Sequence, residues 1–344
     1  MTFGKNAFQR NLISSILLIW ILELNVSGAA SLSRWEFKEP HMGTLFRLTL
    51  FAENFKVARN AARKAFKRIS DIEASLTTYR DNSELNRLCR NAYKTPQVVS
   101  CDLFNVLQES HHLSEISDGA FDVTIRPLIN LWKNQARKDK LPTPHQLTQA
   151  RELVDYRHIS YNRTIRSVRL ARKNISIDFG AIGKGYAADA ALDVLKDNGI
   201  LSVIIDAGGD LRLGDPPPGQ KFWAVVVNPG HRIRPSIRLG LSNCGIATSS
   251  DGLKFFEIDN KRYSHIIDPS TGLSVEHSGL VTVMASKASI ADALATALNV
   301  MGPEAGIRLA EKLNDVEACF FSVTDQTTLV VQETSGFDTI KHSE

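Results

Sequence analysis

Hydrophobic and polar residues recur along this chain with two different periods. A strand-like stretch covers 43–52, and apolar residues then recur every three or four positions from Ala58 to Leu76, which predicts an amphipathic helix that begins near Asn54. The same period predicts a second helix over 102–116. The first third of the chain is therefore expected to contain a strand followed by long helices.

The rest of the chain is predicted to contain many short strands and two further helices. Helices are expected over 185–198 and 289–301, because each periodic stretch ends at a glycine, Gly199 or Gly302. A polar segment over 132–148 predicts a long excursion or the edge of a subdomain. Short apolar runs predict strands at 166–170, 174–179, 202–206, 222–227, 279–284, 317–323 and 328–332. This mixed order indicates an α+β fold with mixed, largely antiparallel sheets and packed helices, and not a doubly wound parallel sheet.

The first 30 residues differ from the rest of the chain. Lys5 and Arg10 precede an apolar run over 12–22, and small residues follow up to Ala30. This arrangement predicts a secretory signal peptide over 1–30 and a single mature domain over 31–344. An uncleaved anchor is the weaker alternative, because a spanning helix needs roughly 20 apolar residues. The cleavage region contains no cysteine, so the lipid-attachment site of a bacterial lipoprotein is absent.

Composition excludes several classes of protein. With 43% apolar and 23% charged residues, the chain is neither disordered, collagen-like nor a coiled coil. The formal net charge of +4 is spread without a basic block, so nucleic acid is not an expected partner. The cysteines at 89, 101, 244 and 319 lack the spacing of a metal site. Export would permit disulfides among them, and buried free thiols are the alternative.

The stretch 175–189 carries the clearest candidate chemistry. A predicted strand ends at Asp178, and a glycine-rich turn that contains Lys184 opens a helix. Backbone N–H groups at a helix start bind phosphate, although the spacing is not that of a Walker A loop. A simple tight turn between a strand and a helix is the alternative interpretation.

Two other segments offer candidate polar groups. Asp292 and Thr296 lie one helical turn apart, opposite the apolar stripe of their helix, and can offer two oxygens to Mg²⁺. A solvated polar face is the alternative. His265 follows a short predicted strand and precedes an Asp-Pro turn at Asp268, so it is a candidate general base or phosphate contact, or else a structural histidine.

Seven segments, in order along the chain, resemble the ApbE-like family of FAD:protein FMN transferases. They are 41–44 (HMGT), 77–85, 117–132, 178–187 (DFGAIGKGYA), 208–210 (GGD), 264–272 (SHIIDPSTG) and 291–298 (ADALATAL). The resemblance implies a T-fold-like α+β architecture and a periplasmic enzyme. It also implies transfer of FMN from FAD to a Thr or Ser hydroxyl of an acceptor redox protein, such as a membrane electron-transfer subunit. Mg²⁺ would be required and AMP would be released.

The resemblance also implies roles for individual residues. Mg²⁺ would be held by the carbonyl of Ala181 with Asp292 and Thr296. His265 matches a functionally important histidine of the family. Because the transfer needs a base for the hydroxyl proton, His265 is the first candidate, with Asp268 or Asp122 as further candidates. The residues implied to contact FAD are Met42, Tyr79, Ala120, Phe121, Asp122, Asp178, Lys184 and Ile267.

The sequence departs from the family pattern at two places, and it leaves two alternative functions open. Ser250, Asp251 and Gly252 stand where the family usually has Gly and an aromatic residue, and Asp206 stands where Asn is common. Water in place of the acceptor hydroxyl would make the protein an FAD pyrophosphatase that forms FMN and AMP. A flavin-binding protein without turnover is the other alternative.

Overall fold

The computed structural model describes residues 32–228, 236–250, 255–275, 279–324 and 328–342. The predicted signal peptide over 1–30 and the two loop residues Asp251 and Gly252 lie outside the described residues. Within those ranges, no helix has the length and apolar content needed to cross a bilayer.

The strands and helices alternate irregularly along the chain. The strands are β1 (Ser33–His41), β2 (Thr44–Ala52), β3 (Gln97–Val98), β4 (Ile159–Asn162), β5 (Ser167–Leu170), β6 (Val203–Ala207), β7 (Leu211–Leu213), β8 (Trp223–Val227), β9 (Ile237–Leu241), β10 (Gly245–Ser250), β11 (Phe255–Ile258), β12 (Lys261–Ser264), β13 (Gly279–Ala285), β14 (Glu317–Thr324) and β15 (Thr328–Glu333). The α-helices are α1 (Phe55–Leu76), α2 (Glu84–Asn91), α3 (Cys101–Ile116), α4 (Arg126–Ala136), α5 (Pro144–Arg151), α6 (Gly183–Asp197), α7 (Ala288–Met301) and α8 (Pro303–Ala310).

An eight-stranded sheet forms the centre of the fold, with the strand order β1-β2-β6-β7-β10-β13-β14-β15. Every neighbouring pair in this sheet is antiparallel. Helix α6 packs between α1 and α7, and α7 packs against β10 and β13. The main hydrophobic core lies between these helices and the sheet. The prediction of an α+β fold with largely antiparallel sheets is confirmed.

All four helices predicted from the periodic apolar positions are present. Helix α1 begins after Asn54, whose side chain accepts a hydrogen bond of 3.0 Å from the Val57 N–H. Helix α7 ends at Gly302, which has a φ of 77°. A residue with a side chain would be strained in that left-handed conformation, so this glycine is a physical stop signal.

The strand predicted over 174–179 is wrong. Ile175, Ile177 and Phe179 are buried in alternation, as in a strand, but the segment belongs to none of the described sheets. The Asp178 N–H instead donates to the Val123 carbonyl at 2.8 Å. Alternating burial arose from packing on the core, and the apolar pattern alone cannot distinguish that from pairing with another strand.

Several elements carry too weak a pattern to be predicted. Strand β1 is mostly exposed at the edge of the large sheet and contains charged residues. The polar segment over 132–148 contains the end of α4 and the start of α5, which pack against each other. It is therefore partly helical, and the long excursion or subdomain edge stays a prediction.

The four cysteines are free thiols in this structure. Cys244 and Cys319 are buried, Cys89 is half-buried and Cys101 is exposed. Burial raises the pKa of Cys244 to about 11, so this thiol stays protonated and unreactive at neutral pH.

Candidate active site

The turn before α6 is held rigidly by its own hydrogen bonds. The Asp178 carboxylate accepts the Gly180 N–H at 2.7 Å, and the Gly183 N–H donates to the Phe179 carbonyl at 2.7 Å. Ala181 lies within this turn and is half-buried. Lys184, the second residue of α6, therefore leaves the turn from a defined position.

Lys184 lies between two buried carboxylates. Its Nζ is 2.9 Å from Asp210 Oδ2 and 3.2 Å from each carboxylate oxygen of Asp292. Asp292 Oδ2 also accepts the Gly185 N–H at 3.2 Å. Two carboxylates and one ammonium carry a net charge of −1, which favours a cation at this point of the protein.

The pKa values of this cluster follow from its burial. Removal from water raises the pKa of Asp292, and this effect exceeds the opposing attraction of Lys184. The two carboxylates raise the pKa of Lys184 and exceed its own desolvation, so the lysine is charged at neutral pH. The alternative of a solvated polar face on α7 is therefore wrong for Asp292, which is only 6% exposed.

Close backbone contacts set the position of α7 relative to α6. A Cβ atom on Gly185 would lie 2.2 Å from the Ala288 carbonyl oxygen, and one on Gly245 would lie 2.3 Å from the Ala288 nitrogen. Only glycine permits this approach. Helix α6 and strand β10 thus both contact the first residue of α7, one turn before Asp292.

Asp189 of α6 caps the N-terminus of α7. Its two carboxylate oxygens accept the N–H groups of Ala288 and Ser289 at 3.0 and 2.9 Å. The Arg212 Nε lies 2.8 Å from the same carboxylate in an ion pair without hydrogen-bond alignment. The cap supplies acceptors that Lys287, at the usual capping position, does not provide.

We expect the Asp189→Ala variant to lose about 1–2 kcal/mol of unfolding free energy, because two N–H groups at the start of α7 lose their acceptor. Urea unfolding followed by circular dichroism measures this loss. The matched control is Asp193→Ala, which removes an exposed carboxylate one turn later on α6. Equal stabilities of the two variants would show that Asp189 is not an effective cap.

Met42 and Tyr79 flank the unit formed by β2 and α1: Met42 precedes the strand and Tyr79 follows the helix. Met42 occupies the turn between β1 and β2, and its N–H donates to Glu73 Oε1 on α1 at 2.8 Å. A cleft of about 340 Å³ opens over this turn, lined by residues 40–45 and Glu73. Helix α1 ends at Leu76, and Tyr79 follows with 90% of its surface exposed. The tyrosine ring is therefore available to stack on a flat ligand.

The segment 120–126 connects Tyr79 with Asp178. Arg126 donates to the Thr78 carbonyl at 3.2 Å, directly before Tyr79. The Asp122 carboxylate is buried and accepts the N–H groups of Thr124 and Tyr156 at 2.7 and 2.8 Å. Burial raises its pKa, and these bonds oppose the rise. Ala120 is half-buried and Phe121 is buried in the main core.

The segment 264–274 is anchored to α4. His265 is half-buried and directly follows β12. Ile267 is buried in a small hydrophobic cluster with Trp132, whose Nε1 donates to the Gly272 carbonyl at 2.9 Å. The Asp268 carboxylate accepts the Ser270 N–H at 2.7 Å and the Thr271 hydroxyl at 2.9 Å, so it stabilises its own turn.

Comparison with known proteins decides the family of this chain. A model of the ApbE family matches residues 42–320. The chain belongs to the ApbE family. The FAD:protein FMN transferase of Haemophilus influenzae is 31% identical over 279 residues, which cover 78% of this chain and 80% of the relative. That of Treponema pallidum is 30% identical over 311 residues, covering 85% and 86% of the two chains.

Solved structures of the ApbE family agree with this assignment. The flavin transferase ApbE from Vibrio cholerae superposes with a TM-score of 0.80 at 28% identity, and the match covers 90% of this chain and 99% of that one. The predicted family, the fold class and the transferase class of enzyme are thereby confirmed.

The folded chain brings together part of the site implied by the ApbE resemblance. Lys184 and Asp292 are in contact, and the Thr296 hydroxyl lies one turn along α7, 3.5 Å from the Asp292 carbonyl oxygen. The individual roles of these residues stay predictions. Asp210 and Asp189 were not singled out by the sequence. The Gly-Gly-Asp turn at 208–210 was a weak signal for the former, and no local pattern marks the latter.

Proposed function

We propose that this chain transfers FMN from FAD to a Thr or Ser hydroxyl of an acceptor protein and releases AMP. The contact of Lys184 with Asp210 and Asp292, in a member of the ApbE family, is the observation that carries the proposal. A pyrophosphate is doubly anionic, and a buried lysine at a helix N-terminus is suited to bind it.

The residues around Asp292 fit Mg²⁺. The cluster has an excess negative charge, and Asp292, Thr296 and the Ala181 carbonyl offer the oxygen ligands that this hard cation prefers. Within the described ranges, no three His, Cys, Asp or Glu side chains are grouped as a metal site. The ligands proposed here are one carboxylate, one hydroxyl and one backbone carbonyl, so they would not form a group of three such side chains. When bound, Mg²⁺ would offset the charge of the pyrophosphate.

The proposed reaction is a displacement at phosphorus. The acceptor hydroxyl oxygen forms a bond to the phosphorus of the FMN half of FAD, and the bond between that phosphorus and the bridging oxygen breaks. AMP leaves with the bridging oxygen. Lys184 and the N–H groups at the start of α6 would stabilise the negative charge that develops on the phosphate oxygens.

His265 is the base that we propose for the hydroxyl proton. The Asp268 carboxylate is engaged in its own turn, and Asp122 is buried with several hydrogen-bond donors. Histidine is the side chain that most often serves as a general base in enzymes. The flavin is proposed to lie between Met42 and Tyr79, over the cleft at the β1–β2 turn.

We expect His265→Ala to lower the rate of FMN transfer by about 10²–10³ at saturating FAD, because general base catalysis is lost. The affinity for FAD should change little. Fixed-time assays with acceptor protein measure the rate of FMN transfer, and fluorescence titration measures the affinity for FAD. A matched control is His145→Ala, which removes a histidine from the N-terminal turn of α5. Transfer at the wild-type rate would leave His265 with a structural role only.

The activity itself is tested with FAD, Mg²⁺ and a Thr-containing acceptor domain. Flavin fluorescence on the acceptor in a denaturing gel, with one AMP released per label, is the expected result. AMP and free FMN without label would indicate the pyrophosphatase. Tight FAD binding without AMP would indicate a flavin-binding protein.

We also propose that the chain acts in the periplasm on a membrane electron-transfer protein. The predicted signal peptide over 1–30 supports export. N-terminal sequencing of the exported protein should find a start near Ala29 to Ser31. An intact Met1 would favour an uncleaved anchor.

A further inference from the structure

Asp210 occupies a turn that the fold holds firmly. It follows Gly208 and Gly209, whose φ values of 75° and 106° require glycine. The Ala207 N–H donates to the Asp210 carbonyl at 2.7 Å, and the Asp206 carboxylate accepts the Gly209 N–H at 2.8 Å. The backbone that carries Asp210 is thus fixed on both sides of the residue.

This turn also contacts the first residue of β2, next to the turn that carries Met42. A Cβ atom on Gly208 would lie 2.1 Å from the Thr44 hydroxyl oxygen, so the β1–β2 and β6–β7 turns are in close contact. The turn that carries Asp210 therefore contacts the cleft at the β1–β2 turn through Gly208 and Thr44, and it contacts the Lys184 ammonium through Asp210.

Both carboxylate oxygens of Asp210 have partners. Oδ2 is 2.9 Å from Lys184 Nζ, and Oδ1 accepts the Thr248 N–H of β10 at 3.4 Å. The residue as a whole is only 7% exposed. A buried carboxylate bonded in this way has little freedom to rotate, and its direction is set by β10 as well as by its own turn.

A lysine ammonium has three N–H donors and a flexible stem, so by itself it does not present a donor in a fixed direction. Asp210 and Asp292 bind Lys184 from two different elements. We propose that Asp210 is a positioning residue that holds the Lys184 ammonium beside Asp292, so that its positive charge stays at a fixed place for the FAD pyrophosphate. This inference rests on the proposed function.

The alternative is that Asp210 only stabilises its turn. A double-mutant cycle separates the two roles, because a residue that acts through Lys184 has no further effect once Lys184 is removed. The four proteins are wild type, Asp210→Asn, Lys184→Met and the double variant. The measurements are the dissociation constant of FAD and the rate of FMN transfer at saturating FAD.

We expect Asp210→Asn to weaken FAD binding about 10-fold and to slow transfer by about 10²-fold, because Lys184 loses a charged partner. The double variant should equal Lys184→Met within about twofold. Asp210→Glu, which keeps the charge, should recover part of the loss. A double variant that is worse than Lys184→Met by the full effect of Asp210→Asn would overturn the proposal.

Asp206→Asn is the matched control. It removes a carboxylate from the same turn but keeps an oxygen that can accept the Gly209 N–H. Asp206 pairs with Arg47 at 3.5 Å, and not with Lys184. FAD affinity and transfer should stay within about twofold of wild type. An equal loss in this control would assign the effect to the turn.

The test distinguishes failure of this inference from failure of the proposed function. If the wild-type protein binds FAD but transfers no FMN, the proposed function is refuted. The FAD dissociation constants of the four proteins in the double-mutant cycle still decide the role of Asp210. If FAD does not bind, crystal structures of wild type and Asp210→Ala decide it. Displacement of Lys184 Nζ in the variant is expected, and an unchanged position would overturn the inference.

Discussion

The Asp292→Asn variant will lose FMN transfer by at least about 10³-fold and will remain folded. The substitution keeps the shape of the side chain and removes its charge. Lys184 and Asp210 would then form a neutral pair in place of a cluster with a net charge of −1. The site would no longer attract a divalent cation.

The stability of Asp292→Asn should not fall with its activity. Burial raises the pKa of Asp292, which means that the charged form is costly in the folded state. Asp210 still pairs with Lys184 in the variant, so no buried charge is left without a partner. We therefore expect the free energy of unfolding to change by less than about 1 kcal/mol, or to increase.

The measurements for Asp292→Asn are the rate of transfer, the dissociation constants of FAD and Mn²⁺, and urea unfolding. FAD should bind within about tenfold of wild type, whereas Mn²⁺ binding should be lost. Asp193→Asn, on the exposed face of α6, is the control for a change of net charge. Retention of Mn²⁺ binding by Asp292→Asn would contradict the metal site proposed here.

The second large effect concerns Gly185→Ala, which we expect to destabilise the protein by about 2 kcal/mol and to slow transfer at least about 10²-fold. The new Cβ would lie 2.2 Å from the Ala288 carbonyl oxygen and 2.6 Å from the Ser289 nitrogen. Both are backbone atoms of α7, so they can yield only if the two helices separate. The better helix propensity of alanine, about 1 kcal/mol, offsets part of the cost.

Gly183→Ala is the matched control for stability. Gly183 lies two residues earlier in α6, and a Cβ there would be 3.5 Å from the Phe179 Cβ, an ordinary contact. Its stability should equal or exceed that of wild type, because only the helix propensity changes. Thermal and urea unfolding compare the two variants. Equal stability of Gly185→Ala and Gly183→Ala would show that α6 and α7 are less tightly packed than the structure indicates.

Segments with a strong local pattern were predicted well. The helices around Ile69 and Leu298 and the strand around Leu48 each have a regular apolar period, and each is present. The exposed strand β1 and the short helix α2 lack such a period and were missed. A solvated polar face of α7 was the alternative interpretation of Asp292 and Thr296, but α6 packs against α7 and Asp292 is buried.

The order of the motifs along the chain was sufficient to predict the family, the α+β class and the residue types for phosphate chemistry. Those properties depend on short stretches of sequence, in which the apolar period and the turn residues determine the local structure. The partnership of Asp210 with Lys184, the cap from Asp189 to α7 and the close approach at Gly185 join residues that lie far apart along the chain. Such contacts depend on how α6, α7 and the sheet pack together, because distance and burial, and not residue type, determine which charged groups meet.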